Sequence, residues 1–128
     1  MPRKRPDVPL TGAEYRIMRV LWNLGAVTVN QALEALKDSA LAYTTVLTTF
    51  QVLERKGFVR HRESGRAYVY EPTVTRDSAR RNVVRSTVLK FFENSPGLLA
   101  LNILENEQLN DEDLAALENA LRRRSKSK

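Results

Sequence analysis

Three features of the sequence predict a mainly α fold with a small β-hairpin. Apolar residues recur at helical spacing behind two capping boxes. Two β-prone runs flank a glycine near mid-chain. The last third is leucine-striped and interrupted by Ser95-Pro96-Gly97.

The first element follows from Thr11-Gly12-Ala13-Glu14, in which Thr11 stands at an N-cap position and Glu14 three residues on can return the hydrogen bond. A helix over 12–24 is predicted, with Ile17, Leu21 and Leu24 on one stripe, Val20 beside them and Gly25 closing it. Residues 1–10 hold three prolines and a cluster of charge, too little to form a core, and are expected to be a flexible basic N-terminal arm. Thr28-Val29-Asn30-Gln31 repeats the capping box, and Val29, Ala32, Leu33 and Leu36 make the apolar stripe of a short second helix.

A polar turn over 37–42 leads to a third helix from Tyr43 to Lys56, ended by Gly57. At about 100° per residue, Val46, Thr49, Phe50 and Leu53 share one face, and Thr44, Thr48, Gln51 and Arg55 share the other. Threonine is a mediocre helix former, so propensity does not explain Thr44, Thr45, Thr48 and Thr49 in one helix. Short hydroxyl side chains suit the DNA major groove, where they can donate, accept or meet a thymine methyl. The other reading is an exposed face that happens to be threonine-rich.

Phe58 to Tyr70 forms two short β-prone runs around Gly65, hence a hairpin, with Arg60, Arg62 and Arg66 at or beside its tip. A solvated tip would look similar. The order of parts, three helices on short turns and then a basic hairpin, is that of a winged helix-turn-helix, predicted over 11–73.

Pro72 ends the second strand, and Thr75 can cap a long helix to Asn94 whose stripe holds Val84, Val88, Phe91 and Phe92. Ser95 and Pro96 open a short apolar helix with Leu98, Leu99, Leu101 and Leu104. Asn110 caps a last helix with Asp113 at its third position, a Leu109/Leu114 staple, and Leu114, Leu117 and Leu121 on one face. Burying such a side chain is worth roughly 1.5–3 kcal/mol, so these helices need a cover. Packing back on the N-terminal body is one answer. A second copy is the one favoured here, which makes 74–122 a set of C-terminal dimerisation helices and 123–128 a basic tail.

Composition narrows the function. Hydrophobic residues are 42% and charged residues 28%, a globular balance, and no apolar run approaches the roughly 20 residues that cross a bilayer. Without an apolar stretch after the basic start, no secretory signal is read, so a cytoplasmic chain with no membrane insertion is expected. Zero cysteines and a single histidine leave no thiolate metal site and little for catalysis, so neither cofactor nor metal is expected. The strongest catalytic alternative is His61 with Glu63 or Tyr68, with no metal or oxyanion site beside it.

The net charge of +6 is unevenly spread. Residues 1–92 carry 16 Lys/Arg against 8 Asp/Glu, residues 93–121 carry no base and 7 acids, and the last seven residues carry five bases. A basic body suits a polyanion, since each cation near a phosphate releases condensed counterions. The acidic segment suits a place away from DNA.

These residues resemble the penicillinase-repressor family of winged-helix regulators, also called BlaI/MecI-like, over about residues 9–121. The resemblance rests on Leu10-Thr11 with Glu14, Ile17-Met18 to Leu21-Trp22, Thr28-Val29, Tyr43-Thr44-Thr45-Val46 with Thr48, Lys56-Gly57, and Gly65-Arg66 to Tyr68 with Tyr70 and Pro72. It implies a homodimeric repressor on a near-palindromic double-stranded DNA operator, with Tyr43, Thr44, Thr45 and Thr48 in the major groove and Arg60, Arg62 and Arg66 on the wing. It also implies release by proteolytic cutting once a membrane sensor protease signals. The similar stretch is Leu101-Asn102-Ile103-Leu104, where the family favours an aromatic residue after the asparagine and this chain has Ile103. A copper-responsive branch binds metal through C-terminal cysteines, which this chain lacks. Two other winged-helix readings stay open: a repressor released by a small-molecule ligand, and a module that binds protein.

Overall fold

The computed structural model describes residues 8–126. The expected N-terminal arm therefore lies outside the described residues apart from its last three positions, and so does the end of the basic tail. Six α-helices and one hairpin follow in order: α1 Gly12–Leu24, α2 Val29–Ala35, α3 Tyr43–Lys56, β1 Val59–Ser64, β2 Ala67–Pro72, α4 Arg76–Phe91, α5 Pro96–Asn106 and α6 Asp111–Lys126. The chain divides into two compact units, the first ending at Thr87 and the second beginning at Val88.

In the first unit both capping boxes form. The hydroxyl of Thr11 accepts from the Glu14 amide at 3.2 Å while the Glu14 carboxylate accepts from the Thr11 amide at 2.9 Å, and Thr28 and Gln31 do the same at 3.1 and 2.9 Å. These caps fix where α1 and α2 begin, so that Ile17, Met18 and Leu21 of α1 meet Ala32 of α2 and Val46, Phe50 and Leu53 of α3 in one core. Phe50 then stacks on Tyr70 of β2, ring centroids 4.5 Å apart, which carries the core into the hairpin.

The hairpin is antiparallel, with Arg60 opposite Glu71, His61 opposite Tyr70, and Ser64 opposite Ala67. The two residues between the strands turn the chain with Gly65 at φ 62°, a conformation a side chain resists. Val27 adds a third-strand bridge, exchanging backbone hydrogen bonds with Tyr70 at 2.9 and 2.8 Å. This bridge is absent from the sequence reading because one residue of strand has no periodicity.

The first unit passes the expected boundary at residue 73. The Trp22 indole donates to the Val74 carbonyl at 2.9 Å, Arg76 sits over the Trp22 ring, and Ala79 of α4 belongs to the core. Glu14 is 7% exposed, and both its oxygens lie 2.8 Å from Lys56 Nζ, tying the start of α1 to the end of α3. Burial pushes the Glu14 carboxyl up, yet the hydrogen bonds from Lys56 and Thr11 and the Lys56 charge outweigh it and hold the group below its ordinary value.

Three local expectations are corrected. Leu24, placed on the core stripe of α1, is 60% exposed, because α1 ends in open space where a side chain added at Gly25 would meet nothing within 4 Å. The 37–42 turn contains a one-turn 3-10 helix, Lys37–Ser39, followed by Ala40 at φ 53°. The fourth helix stops at Phe91 and does not reach Asn94, since Glu93 and Asn94 are both left-handed and the Asn94 amide donates back to the Val88 carbonyl at 3.0 Å.

In the second unit Ser95 caps α5, accepting from the Leu98 amide at 3.1 Å with Pro96 in the first turn, and Asn110 caps α6, accepting from the Asp113 amide at 2.7 Å. None of residues 89–126 is buried. Among the described residues, no helix is long and apolar enough to cross a membrane.

Candidate nucleic-acid interface

The inner face of α3 is fixed by Val46, Phe50 and Leu53, all fully buried, so the opposite face is forced outward. Tyr43, Thr44, Thr45, Thr48, Gln51 and Arg55 are all exposed, together along the outer side of one helix. Thr49, expected among the core residues, is half-buried, and its hydroxyl donates to the Thr45 carbonyl at 2.8 Å. Ala42, the N-cap of α3, offers no side-chain oxygen, so the first amides of the helix have no side-chain acceptor.

A groove of 430 Å³ lies between the start of α2, α3 and β2. It brings Tyr43, Gln51 and Arg66 together with Thr28, Asn30 and Tyr68. Thr44, Thr45, Thr48, Arg55, Arg60 and Arg62 do not line it.

The hairpin arginines are not equivalent. Arg60 Nε donates to its cross-strand neighbour Glu71 at 2.7 Å, which neutralises it locally. Arg62 and Arg66 are exposed, and among the described residues no ion pair engages either. Two unpaired cations near the hairpin tip therefore remain for an external anion, one of them facing the groove.

His61 is engaged structurally. Its Nδ1 lies 2.6 and 2.8 Å from the two oxygens of Glu54, its backbone amide donates to the same carboxylate at 3.1 Å, and its ring lies 4.6 Å from Tyr68 and 5.7 Å from Tyr70. The carboxylate beside it is thus Glu54 and not the sequence neighbour Glu63. No spacing rule links Glu54 and His61, because they stand on different elements. Tyr70 itself is buried, and burial together with the Glu54 charge pushes its hydroxyl up, so it stays protonated. Among the described residues no group of three or more His, Cys, Asp or Glu could hold a metal ion.

The three-helix core, the exposed outer face of α3 and the flanking hairpin have counterparts among known proteins. The family model for the penicillinase repressor matches residues 10–123. The chain belongs to the penicillinase repressor family. It is 28% identical over 116 residues to the penicillinase repressor of Bacillus licheniformis, covering 90% of this chain and 89% of that protein. It is 21% identical to the methicillin resistance regulatory protein MecI of Staphylococcus aureus (strain N315), covering 90% and 94%. The solution structure of the DNA binding domain of the repressor BlaI superimposes with a TM-score of 0.50 at 26% identity, covering 59% of this chain and 90% of that one. The winged helix read from the sequence is therefore the fold of the first unit, and the family is one of DNA-binding transcriptional repressors.

Of the apolar-stripe residues expected at a dimer contact, Val84, Phe91, Leu98, Leu101, Leu114, Leu117 and Leu121 are exposed, with Phe91 at 76%. Phe92 is half-buried. Val88 is corrected: at 2% exposure it is buried within the chain and offers no surface to a partner. Asn102 and Ile103 both lie inside α5, exposed to solvent.

Proposed function

We propose that this protein is a homodimeric, cytoplasmic transcriptional repressor that binds a near-palindromic operator through α3 in the major groove, with the hairpin along the phosphate backbone. The observation that carries this reading is the outer face of α3, where Thr44, Thr45, Thr48 and Gln51 are exposed while Val46, Phe50 and Leu53 on the opposite face are fully buried. Hydroxyls and an amide at that spacing can read base edges, and the cations of Arg62 and Arg66 can hold the backbone in register. Homodimerisation is supported by the apolar side chains left at the surface of the second unit, and a two-fold protein fits a two-fold operator.

Release by cleavage between Asn102 and Ile103, through a membrane sensor protease, belongs to the same proposal. A cut there would sever α5 and cost the dimer, and with it the affinity that two half-sites supply. The test is binding-site selection from random duplex with the full chain, followed by mobility shift on the recovered sequence over rising salt. A recovered pair of inverted half-sites is the expected result. Failure to bind any duplex at low ionic strength would leave the protein-binding module as the reading, and loss of binding on adding a small molecule with the chain uncut would replace the protease.

A further inference from the structure

Helix α1 turns Ile17, Met18 and Leu21 into the core that it shares with Val46, Phe50 and Leu53 of α3. At about 100° per residue, Arg16, Arg19 and Asn23 fall on the side of α1 turned away from that core, and all three are exposed. The outer faces of α1 and α3 therefore look to different sides of the first unit. Helix α4 lies alongside α1 and extends the first of these faces. Arg76 Nη2 donates to the Asn23 side-chain oxygen at 2.9 Å, and Arg80 Nη2 donates to the Tyr15 hydroxyl at 3.3 Å. Tyr15 and Asn23 are two turns apart, so the two helices run side by side over about 12 Å.

Arg16, Arg19, Arg76 and Arg80 thus form one cationic strip. Among the described residues no ion pair engages any of the four. Glu14, the one acid of α1, is buried and already paired with Lys56. Arg76 is instead held over the Trp22 ring, 5.6 Å from its centroid, and that ring meets Tyr15 edge-on at 5.6 Å. These neutral contacts steady Arg76 and Arg80 and leave their charge whole.

Taking the operator reading of α3 above as its basis, we propose that this strip is a second nucleic-acid site, which holds the phosphate backbone of another duplex segment while α3 holds the operator. The strip reads no sequence, because its groups are cations and phosphates are the same at every base pair. Arginine suits the task, since its planar fork matches phosphate geometry and stays charged. An acidic protein would meet the same charge, but the centre of a protein interface is apolar and rich in aromatic anchors. Tyr15 and Trp22, the aromatic rings of the strip, are half-buried and engaged with Arg80 and Arg76. The strip offers charge without an apolar centre, which fits duplex backbone. Cations on two sides let one chain join two segments of DNA.

A capture assay on the full chain tests this. A bead-bound duplex carrying the selected operator is saturated with protein, so that each α3 is occupied, and a fluorescent duplex without the operator is added at low salt. Wild-type protein should retain the second duplex. Its log K should fall with log salt at a slope of about 3.6, at roughly 0.9 for each of four phosphates. Arg16 and Arg19 are the pair to change, since neither is tied into the fold by an ion pair. Arg16→Glu with Arg19→Glu should retain the second duplex at least about tenfold less well. Operator affinity at physiological salt should stay within about twofold, because charges two helix diameters away, roughly 20 Å, are screened there.

No retention by the wild type on a saturated operator would overturn the second site. Equal retention by the double variant would do the same and assign the second duplex to a vacant α3 of another chain. Displacement of the labelled duplex by polyglutamate more readily than by an equal charge of unlabelled duplex would give the strip to an acidic protein. A wild-type chain that binds no operator would defeat the operator reading instead, and the strip is then tested directly. The affinity of the free chain for unrelated duplex at low salt should still fall about tenfold in the double variant, and an unchanged affinity would overturn the proposal.

Discussion

Glu54 of α3 holds His61 of β1 twice, through the ring Nδ1 at 2.6 Å and through the backbone amide at 3.1 Å. One carboxylate thereby joins the last turns of the helix with the exposed threonine face to the root of the hairpin that carries Arg62 and Arg66. In the proposed binding mode the angle between those two elements decides whether bases and phosphates are reached together. Glu54→Ala is expected to weaken operator binding by roughly three- to tenfold, the worth of one or two partly exposed hydrogen bonds. Glu54→Gln, which keeps one acceptor, should recover part of it. Affinities from fluorescence anisotropy, with melting temperatures taken alongside, check this, and equal loss in both variants would show that charge and not tethering matters.

In the proposed binding mode Thr48 and Arg62 take different roles. Thr48→Ala should lower operator affinity by about five- to tenfold and leave non-specific affinity nearly unchanged, since a base-edge contact is lost. Arg62→Ala should weaken both and reduce the slope of log K against log salt by about one, since a phosphate contact is lost. Titrations on operator and scrambled duplex at several salt concentrations separate the two. A parallel loss on both duplexes for Thr48→Ala would remove it from the base-reading set.

Much of this arrangement is legible in the sequence, and the reasons are local. Thr11 and Thr28 with their partners at the third helical position define helix starts by hydrogen bonds three residues apart, which sequence displays directly. The outer face of α3 follows from the spacing of Val46, Phe50 and Leu53. What escaped were contacts between elements: Glu54 with His61, Glu14 with Lys56, and the Val27 bridge to Tyr70. Their partners are brought together by the fold, so no periodicity announces them. Val88 was misplaced for a related reason: a helical stripe lists apolar residues without saying which of them the chain itself covers.

The Glu14–Lys56 pair gives stability a pH dependence. The carboxyl titrates below its ordinary value of 4.5 in the folded chain, so its contribution is fully present above that value and is lost as pH falls through the lowered one. Glu14→Gln keeps an acceptor for the Thr11 amide but leaves Lys56 without its counter-charge, and should cost about 1–3 kcal/mol at neutral pH. Urea unfolding of both proteins should show the gap narrowing as the pH is lowered well below 4.5. A gap that is constant with pH would mean that packing, not charge, is what Glu14 supplies.

Dimerisation can be tested on its own. Leu117 sits between Leu114 and Leu121 on the apolar face of α6, half exposed in the single chain, so Leu117→Asp costs little within one copy and would bury an unpaired charge between two. The expected product is a folded monomer with at least about a tenfold lower operator affinity and the same affinity for a half-site. Sedimentation and mobility shift on whole and half operators check both parts. A variant that remains dimeric would move the contact to α4 or α5.

Cleavage at Asn102–Ile103 meets a structural obstacle that yields its own prediction. The bond lies in the middle of α5, and the Asn102 carbonyl accepts from the Asn106 side chain at 3.0 Å. Proteases bind extended chain, so the helix must open locally before the bond is accessible, and the rate follows the population of that opened form. Weakening the start of α5 by Ser95→Ala, which removes the cap on the Leu98 amide, should cost about 1 kcal/mol and raise the cleavage rate roughly fivefold. Incubation of both proteins with the sensor protease, followed by mass spectrometry of the fragments, measures the ratio. Equal rates would mean that the protease itself unwinds α5, and an intact Asn102–Ile103 bond in both would place the release mechanism elsewhere.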